Sequence, residues 1–200
     1  MKGLANAVTQ ILEKQGIIQP EDVDKCMYGL DMFTAAFLEL FSIFVISAFV
    51  GNFFETLLFF LMFIPLRIYA GGYHADTKAR CYIVSLLVYV CFTLVMKYVP
   101  QSLLMPIALE FEFFSVIMVY TAAPVIHKNK HVNDIEKAHY KNASIIICTI
   151  ETAVICILML FDIANIAFAL SAGQFAETAS MGIALIKNKI SEKNAKTKLK

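Results

Sequence analysis

The sequence is poor in charged residues. Of its 200 residues, 16% are Asp, Glu, Lys or Arg, whereas 59% are hydrophobic. A soluble domain carries roughly 25% charged residues, because its surface must be wetted. The few charges here are also clustered, so that long apolar runs lie between them. This composition excludes an ordinary soluble domain and predicts an all-α, polytopic membrane protein.

Other signals are also missing. The five cysteines form an odd set without regular spacing, so we expect neither a disulfide framework nor a CxxC metal pair. There is no HExxH motif, and the phenylalanine-rich runs are typical of lipid-facing or core surfaces rather than of a cofactor site. No basic start followed by an apolar core opens the chain, so no cleavable signal peptide is predicted. We expect no metal, no cofactor and no nucleic-acid partner.

Residues 1–31 precede the first long apolar run and form a predicted N-terminal segment. Within residues 1–18, apolar side chains recur at helical spacing, as Leu4, Val8 and Ile11 illustrate, and polar side chains face elsewhere. This pattern predicts an amphipathic helix that lies at the membrane interface on the cytoplasmic side. The alternative is a solvated leader that packs on the protein itself.

Six apolar segments follow and define a predicted transmembrane domain over residues 32–186. Their approximate bounds are 32–50, 53–66, 82–99, 103–126, 142–161 and 163–186. The Gly51-Asn52 pair predicts a tight turn between the first two segments. The second segment is short for a span, so we expect it to tilt, to thin the bilayer or to extend into the polar stretch after it. The sixth segment is weaker, since it contains Gln174 and Glu177.

The distribution of basic residues predicts the topology. Six transmembrane helices would put both termini, the segments 67–81 and 127–141, and a basic tail at 187–200 on one side of the membrane. That side holds sixteen of the seventeen Lys and Arg residues, and only Lys97 lies opposite. Because basic residues of short loops collect on the cytoplasmic side, this side is predicted to be cytoplasmic. A four-span topology, in which a weak segment only dips into the bilayer, is the alternative.

A histidine and a cysteine lie close together in the polar segment between the second and third predicted spans. Cysteine attacks as the thiolate, and its ordinary pKa of about 8.5 must be lowered for reactivity at neutral pH. Cys81 opens the third span, where the positive end of the helix dipole would favour the thiolate. Lys78 and Arg80 are its neighbours in sequence, and a protonated His74 would complete an ion pair. These features indicate an activated cysteine nucleophile.

The spacing of His74 and Cys81 requires a bend between them. Residues seven apart on an unbroken helix lie about 10 Å apart along its axis, which is too far for a hydrogen bond. Gly71-Gly72 precedes the histidine, so His74 is expected in a loop that folds back over the helix start. The alternative is a histidine that solvates a helix end and a cysteine that packs as a small residue.

The segment reads Arg67-x3-Gly71-Gly72-Tyr73-His74-Ala75-x5-Cys81. This motif resembles that of the AgrB family, the accessory gene regulator proteins of Gram-positive quorum-sensing systems, and the chain is similar to them in length, span number and loop placement. The resemblance implies a cysteine endopeptidase of the cell membrane that cleaves a short pro-peptide, AgrD, and closes it into a cyclic thiolactone or lactone signal. It implies that Cys81 is the nucleophile and His74 its general base, and it favours a homodimer.

Other residues of the segment have more open roles. Asp76 would orient His74, and Arg67 would bind a substrate carboxylate or neutralise Asp76, although both would alternatively only solvate the interface. Backbone amides near Gly71-Gly72 or at the start of the Cys81 helix would form an oxyanion site.

The segment 127–141 is rich in lysine and histidine. Its histidine spacing permits a metal site, but the interspersed lysines oppose a cation. Lys128 and Lys130 would instead contact lipid headgroups or the acidic tail of the substrate.

Six glutamates lie in the apolar segments. An ionisable side chain deep in lipid is costly, so these side chains are expected to face the bundle interior or a wet cavity. They are Glu39, Glu55, Glu110, Glu112, Glu151 and Glu177. They leave open a second interpretation, in which the protein is a small membrane transporter or exporter of a peptide without covalent catalysis. A membrane scaffold without chemistry is a third.

Overall fold

A computed structural model describes residues 2–73, 77–126 and 132–198 of the chain. The regular structure of these residues is entirely helical, which confirms the all-α prediction. Their seven α-helices are α1 (Lys2–Lys14), α2 (Val23–Val50), α3 (Phe53–Ala70), α4 (Lys78–Tyr98), α5 (Gln101–Ala122), α6 (Asp134–Leu160) and α7 (Ala164–Lys198), and a short 3-10 helix covers Pro20–Asp22.

Five of these helices, α2 to α6, are long and apolar enough to cross a bilayer. In each, between 11% and 33% of the most apolar window is buried inside the protein, so most of its surface is left for lipid. The chain is therefore a membrane protein with several spans. The sixth predicted span falls within α7, which does not meet the same criteria of length and composition among the described residues. A sixth span stays a prediction.

Several helices extend beyond the predicted segments; α2, for example, begins at Val23 rather than near residue 32. The second segment extends into the polar stretch, which is one of the three expected alternatives, since α3 continues to Ala70 with Pro65 inside it. The fifth begins eight residues earlier than predicted, because α6 starts at Asp134 within the predicted loop. Asn133 and Glu136 form a capping box there, in which the Asn133 N–H donates to the Glu136 carboxylate at 3.1 Å. The loop prediction was wrong for residues 134–141.

Residues 1–51 form one compact unit. In this unit α1 packs against α2, and Phe33, Phe37 and Phe41 form a row of exposed rings along α2. Gly51 ends α2 in the left-handed conformation, at φ +87°, and its N–H donates to the Ser47 carbonyl at 2.9 Å. This confirms the predicted tight turn, since α3 begins two residues later. That α1 lies at a membrane interface stays a prediction.

Residues 52–200 form the second unit, and its centre is α7. This helix packs against α3, α5 and α6, and about two thirds of the residues in its first half are buried. Gly173 permits the close approach of α3, because a side chain there would overlap the Phe59 carbonyl. Small residues allow membrane helices to approach closely in this way. On the α5 side, the rings of Phe111 and Phe175 stack with centroids 4.0 Å apart.

The interior of the second unit also contains polar side chains. Glu112, Glu151 and Glu177 are buried, as expected, whereas Glu110 is exposed and Glu39 and Glu55 are half-buried. Thr152 donates to Glu112 at 2.9 Å. Gln174 donates to both carboxylate oxygens of Glu112, at 2.7 and 2.9 Å, when its side-chain amide is oriented with the nitrogen towards Glu112. The opposite orientation would place the amide oxygen of Gln174, an acceptor, against the carboxylate. The three buried glutamates therefore lie in the bundle interior, where polar groups of the chain surround them.

Candidate functional site

The polar segment begins with a backbone turn that two glycines make possible. Gly71 follows α3 with φ +71° and ψ −165°, a conformation that is essentially confined to glycine. A short parallel bridge joins it to Val125, whose N–H donates to the Ala70 carbonyl at 2.8 Å. A Cβ atom on Gly71 would overlap the Val125 carbonyl oxygen. The double glycine thus ends α3 and begins a loop, which is fixed against the residues that follow α5. The bend expected between His74 and Cys81 falls on a stretch that includes residues outside the described part of the chain, and it stays a prediction.

Arg67, in the last turn of α3, is paired with α7. Its Nη1 lies 3.3 and 3.4 Å from the two carboxylate oxygens of Glu177 and donates to the Ser180 hydroxyl at 2.8 Å. The Glu177 side chain is fully buried, and that of Arg67 is 21% exposed. A charge this deep in an apolar bundle requires such a partner. The carboxylate that Arg67 contacts in the described residues thus belongs to the protein itself.

Tyr73 is tied to the same cluster on both sides. Its N–H donates to the Ser180 hydroxyl at 2.9 Å and approaches the Ser180 carbonyl at 3.2 Å, while its own carbonyl accepts from Arg67 Nη2. The Lys187 ammonium lies 5.1 Å from the centroid of the Tyr73 ring. Gly72 leaves room for this arrangement, since a Cβ there would overlap Arg67 Nη1 and lie 2.7 Å from the Ser180 hydroxyl. The chain is thereby held to α7 up to the residue before His74.

Cys81 lies in the first turn of α4, as predicted. Thr77 caps this helix: its hydroxyl accepts from the Arg80 N–H at 3.3 Å, and its carbonyl accepts from the Cys81 N–H at 3.1 Å. The Cys81 residue is half-buried. Because Thr77 engages the amides of Arg80 and Cys81, and Ser180 engages that of Tyr73, these three amides do not form an oxyanion site in this conformation.

The structure thus brings together some of the predicted residues. Arg67, Gly71 and Gly72 lie in one cluster, and Lys78 and Arg80 lie in the turn that carries Cys81. His74, Asp76, Lys128 and Lys130 lie outside the described residues. Among the described residues, no group of three or more His, Cys, Asp or Glu side chains is arranged to hold a metal ion.

Sequence reasoning missed the contribution of α7. Glu177 was recognised as a costly intramembrane acid, but its partner was not identified, and nothing distinguished Ser180 from other serines. A signal did exist on one side, because an acid inside a membrane bundle, such as Glu177, is expected to pair with a basic or polar group of the same bundle. Arg67 and Glu177 are 110 positions apart in sequence, so no local pattern shows their contact.

Comparison with known proteins places the chain in a family. The chain is 25% identical over 126 residues to AgrB-like protein 1 of Clostridium perfringens, across 63% of this chain and 66% of the relative. It is 30% identical over 97 residues to protein FsrB of Enterococcus faecalis, across 48% of this chain and 40% of the relative. The matches thus span less than two thirds of either relative's length.

No solved structure matches the chain. The model of one family, described as accessory gene regulator B, matches residues 5–186. This range includes Cys81 and the cluster around Arg67, apart from Lys187. The chain belongs to the accessory gene regulator B (AgrB) family.

Proposed function

We propose that the protein is a membrane cysteine endopeptidase that processes a short, AgrD-like pro-peptide into a cyclic signal for quorum sensing. Cys81 is the nucleophile and His74 its general base. One observation carries this proposal: the backbone next to His74 is anchored by a partly buried ion pair, and Cys81 lies in the first turn of the next helix. Residues 74–77 connect the two. A hydrogen bond between His74 and Cys81, which are seven residues apart, requires a bend between them.

The reaction has two steps. Cys81 Sγ attacks the carbonyl carbon at the C-terminal end of the future ring, and His74 accepts the thiol proton and passes it to the departing amine. The C-terminal tail leaves, and a thioester on Cys81 remains. An internal thiol or hydroxyl of the peptide then attacks this thioester, loses its proton to His74, and returns the Cys81 thiol. The product is a thiolactone or a lactone.

Energetics favour a site that excludes water. Exchange of one thioester for another changes little in free energy, whereas hydrolysis would discard the energy needed to close the ring. Cys81 is half-buried at the start of an apolar helix, so the surrounding bilayer would limit access of water to the acyl-enzyme. The N-terminus of α4, with Lys78 and Arg80, supplies positive potential that favours the thiolate.

The proposal extends to topology and partners. α7 is the sixth span, because its neighbours shield its polar side chains from lipid. With six spans, the Arg67–Cys81 segment lies on the cytoplasmic face, where Lys128 and Lys130 meet lipid headgroups or the acidic tail of the pro-peptide. Asp76 orients His74, and the protein acts as a homodimer.

The test is substitution of Cys81 in protein reconstituted into liposomes. We expect Cys81→Ala to abolish cleavage of the cognate pro-peptide, because no acyl-enzyme can form. Cys91→Ala is the matched control, since Cys91 is an exposed cysteine on the same helix and should retain the wild-type rate. Mass spectrometry of wild-type protein in a single turnover should detect peptide bound to Cys81. Cleavage by Cys81→Ala at the wild-type rate would show that Cys81 is not the nucleophile.

The buried polar side chains of the bundle favour a second candidate, a peptide transporter without covalent catalysis. Glu112, Glu151 and Gln174 lie inside the second unit, where they would line a path. The two functions differ in what Cys81→Ala does to transport. A transporter would still move intact pro-peptide across a liposome membrane after this substitution.

A further inference from the structure

We propose that Glu177 and Ser180 of α7 are positioning residues for His74, acting through Arg67 and the Tyr73 backbone. The inference rests on the proposed function, because it assigns them to the His74–Cys81 pair. It adds to the motif, which ends at Cys81 and contains no residue of α7. The following contacts support it.

The Arg67 guanidinium is held in a fixed position by α7. Glu177 is fully buried and contacts Nη1 with both oxygens, and the Ser180 hydroxyl accepts from the same nitrogen at 2.8 Å. A guanidinium is planar, and its donors form a rigid fork. Two partners on Nη1 therefore also determine where Nη2 points. Because both partners are on α7, the orientation of Arg67 is set by that helix.

The other terminal nitrogen of Arg67, Nη2, contacts the backbone next to His74. Nη2 donates to the Tyr73 carbonyl, and the carbon of that carbonyl is bonded to the nitrogen of His74. A peptide unit is planar, so the position of its oxygen constrains the direction in which the chain continues. Arg67 thus holds the peptide plane from which the proposed general base extends.

Ser180 supplies a second restraint, which acts on the Tyr73 N–H. Its hydroxyl accepts from the Tyr73 N–H at 2.9 Å and its carbonyl lies 3.2 Å from the same nitrogen. The peptide unit before Tyr73 is therefore held by α7 directly, and the peptide unit after it is held by α7 through Arg67. Two turns further along α7, Lys187 lies over the Tyr73 ring, which holds the side chain as well.

The lack of a side chain at Gly72 is consistent with a positioning role for Glu177 and Ser180. A Cβ on Gly72 would overlap Arg67 Nη1 and would lie 2.8 Å from a Glu177 oxygen and 2.7 Å from the Ser180 hydroxyl. The motif glycine therefore makes room for the ion pair. Glu177 and Ser180 explain why a glycine is required there, while the motif alone gives no reason.

The test measures the reactivity of Cys81 directly and does not require a known pro-peptide. Full-length protein in mild detergent is alkylated with iodoacetamide between pH 5 and 9, and peptide mapping gives the rate at Cys81. If His74 raises the thiolate fraction, His74→Ala shifts the pH–rate profile to higher pH. We expect Glu177→Gln and Ser180→Ala to shift it in the same direction.

Turnover provides the second measurement. With the cognate pro-peptide, Glu177→Gln should lower the rate of Cys81 acylation on the order of 10²-fold. Ser180→Ala should lower it about tenfold, the effect of losing a typical hydrogen bond. KM should stay unchanged in both, because neither residue contacts substrate. Ser171→Ala is the control, since the Ser171 hydroxyl is also buried on α7 and donates to Phe168 within its own helix.

Each outcome has a distinct meaning. Wild-type pH profiles for Glu177→Gln and Ser180→Ala, together with a shifted profile for His74→Ala, would overturn this inference and leave the proposed function intact. An unshifted profile for His74→Ala, or cleavage by Cys81→Ala, would instead contradict the proposed function. Ser180→Ala removes only one hydroxyl, so it decides the matter if Glu177→Gln does not fold.

Discussion

Substitution of Gly71 by alanine should disrupt the turn that leads into the site. Gly71 has φ +71° and ψ −165°, and a Cβ there would overlap the Val125 carbonyl oxygen. That oxygen belongs to backbone, so it cannot move aside as the end of a side chain could. Val125 would have to retreat, which would break its 2.8 Å hydrogen bond to the Ala70 carbonyl.

The cost can be worked out from these two effects. A non-glycine residue in such a conformation costs about 1–3 kcal/mol, and loss of a backbone hydrogen bond adds about 1 kcal/mol. Gly71→Ala should therefore lower the free energy of unfolding by about 2–4 kcal/mol. In a protein of this size each kcal/mol corresponds to about 2–4 °C in the unfolding midpoint. The shift should be roughly 4–16 °C.

Gly51 offers a matched control. It also has positive φ, +87°, but no heavy atom lies within 4 Å of a Cβ built there. Gly51→Ala should therefore cost about 1 kcal/mol, from backbone strain alone. Thermal unfolding of both variants in the same detergent, followed by pro-peptide cleavage in liposomes, checks the comparison. Equal unfolding midpoints for the two variants would refute the argument that Val125 presses on Gly71.

Two further predictions concern the packing of the second unit. Gly173→Ala should destabilise the protein by about 1–3 kcal/mol, because its Cβ would overlap the Phe59 backbone. Gly182→Ala on the same helix is the control, because the nearest atom to a Cβ built there is 3.7 Å away; it should stabilise the protein by about 0.5–1 kcal/mol through helix propensity. Thermal unfolding of both variants measures the difference. Equal shifts in the unfolding midpoint would argue against the close approach of α3 to Gly173. Tyr89→Phe removes the 3.1 Å hydrogen bond that the Tyr89 hydroxyl donates to Asn52, and it should lower the free energy of unfolding by about 1 kcal/mol. The rate of pro-peptide cleavage should not change. Slower cleavage at equal stability would contradict a purely structural role.

Local signals in the sequence predicted much of this structure. Long apolar runs identified α2 to α6, Gly51-Asn52 identified a turn, and Gly71-Gly72 identified the loop that follows α3. Each of these features depends on neighbours within about ten residues. Asn133 and Glu136 also carried a local signal, the capping box, which would have placed the start of α6 correctly.

The role of α7 could not be predicted in the same way. Hydropathy treats Gln174 and Glu177 as unfavourable wherever they occur, since it contains no information about partners. In the structure, Arg67 on α3 pairs with Glu177, and Glu112 on α5 pairs with Gln174. Such pairing depends on which helices meet. A single sequence does not show which helices meet. The segment that forms α7, the central helix of the second unit, was therefore predicted to be a weak span.

The burial of α7 has a consequence for how the protein is made. An acidic residue at the centre of a lone membrane helix costs about 2.5–3.5 kcal/mol during insertion, so α7 would gain its stability from α3, α5 and α6 rather than from lipid. Among the described helices it is also synthesised last. Until it docks, Arg67 lacks Glu177 and Ser180, and Tyr73 lacks its anchor. The Tyr73 turn therefore forms only when α7 docks, so its assembly depends on the last of the described helices to be synthesised.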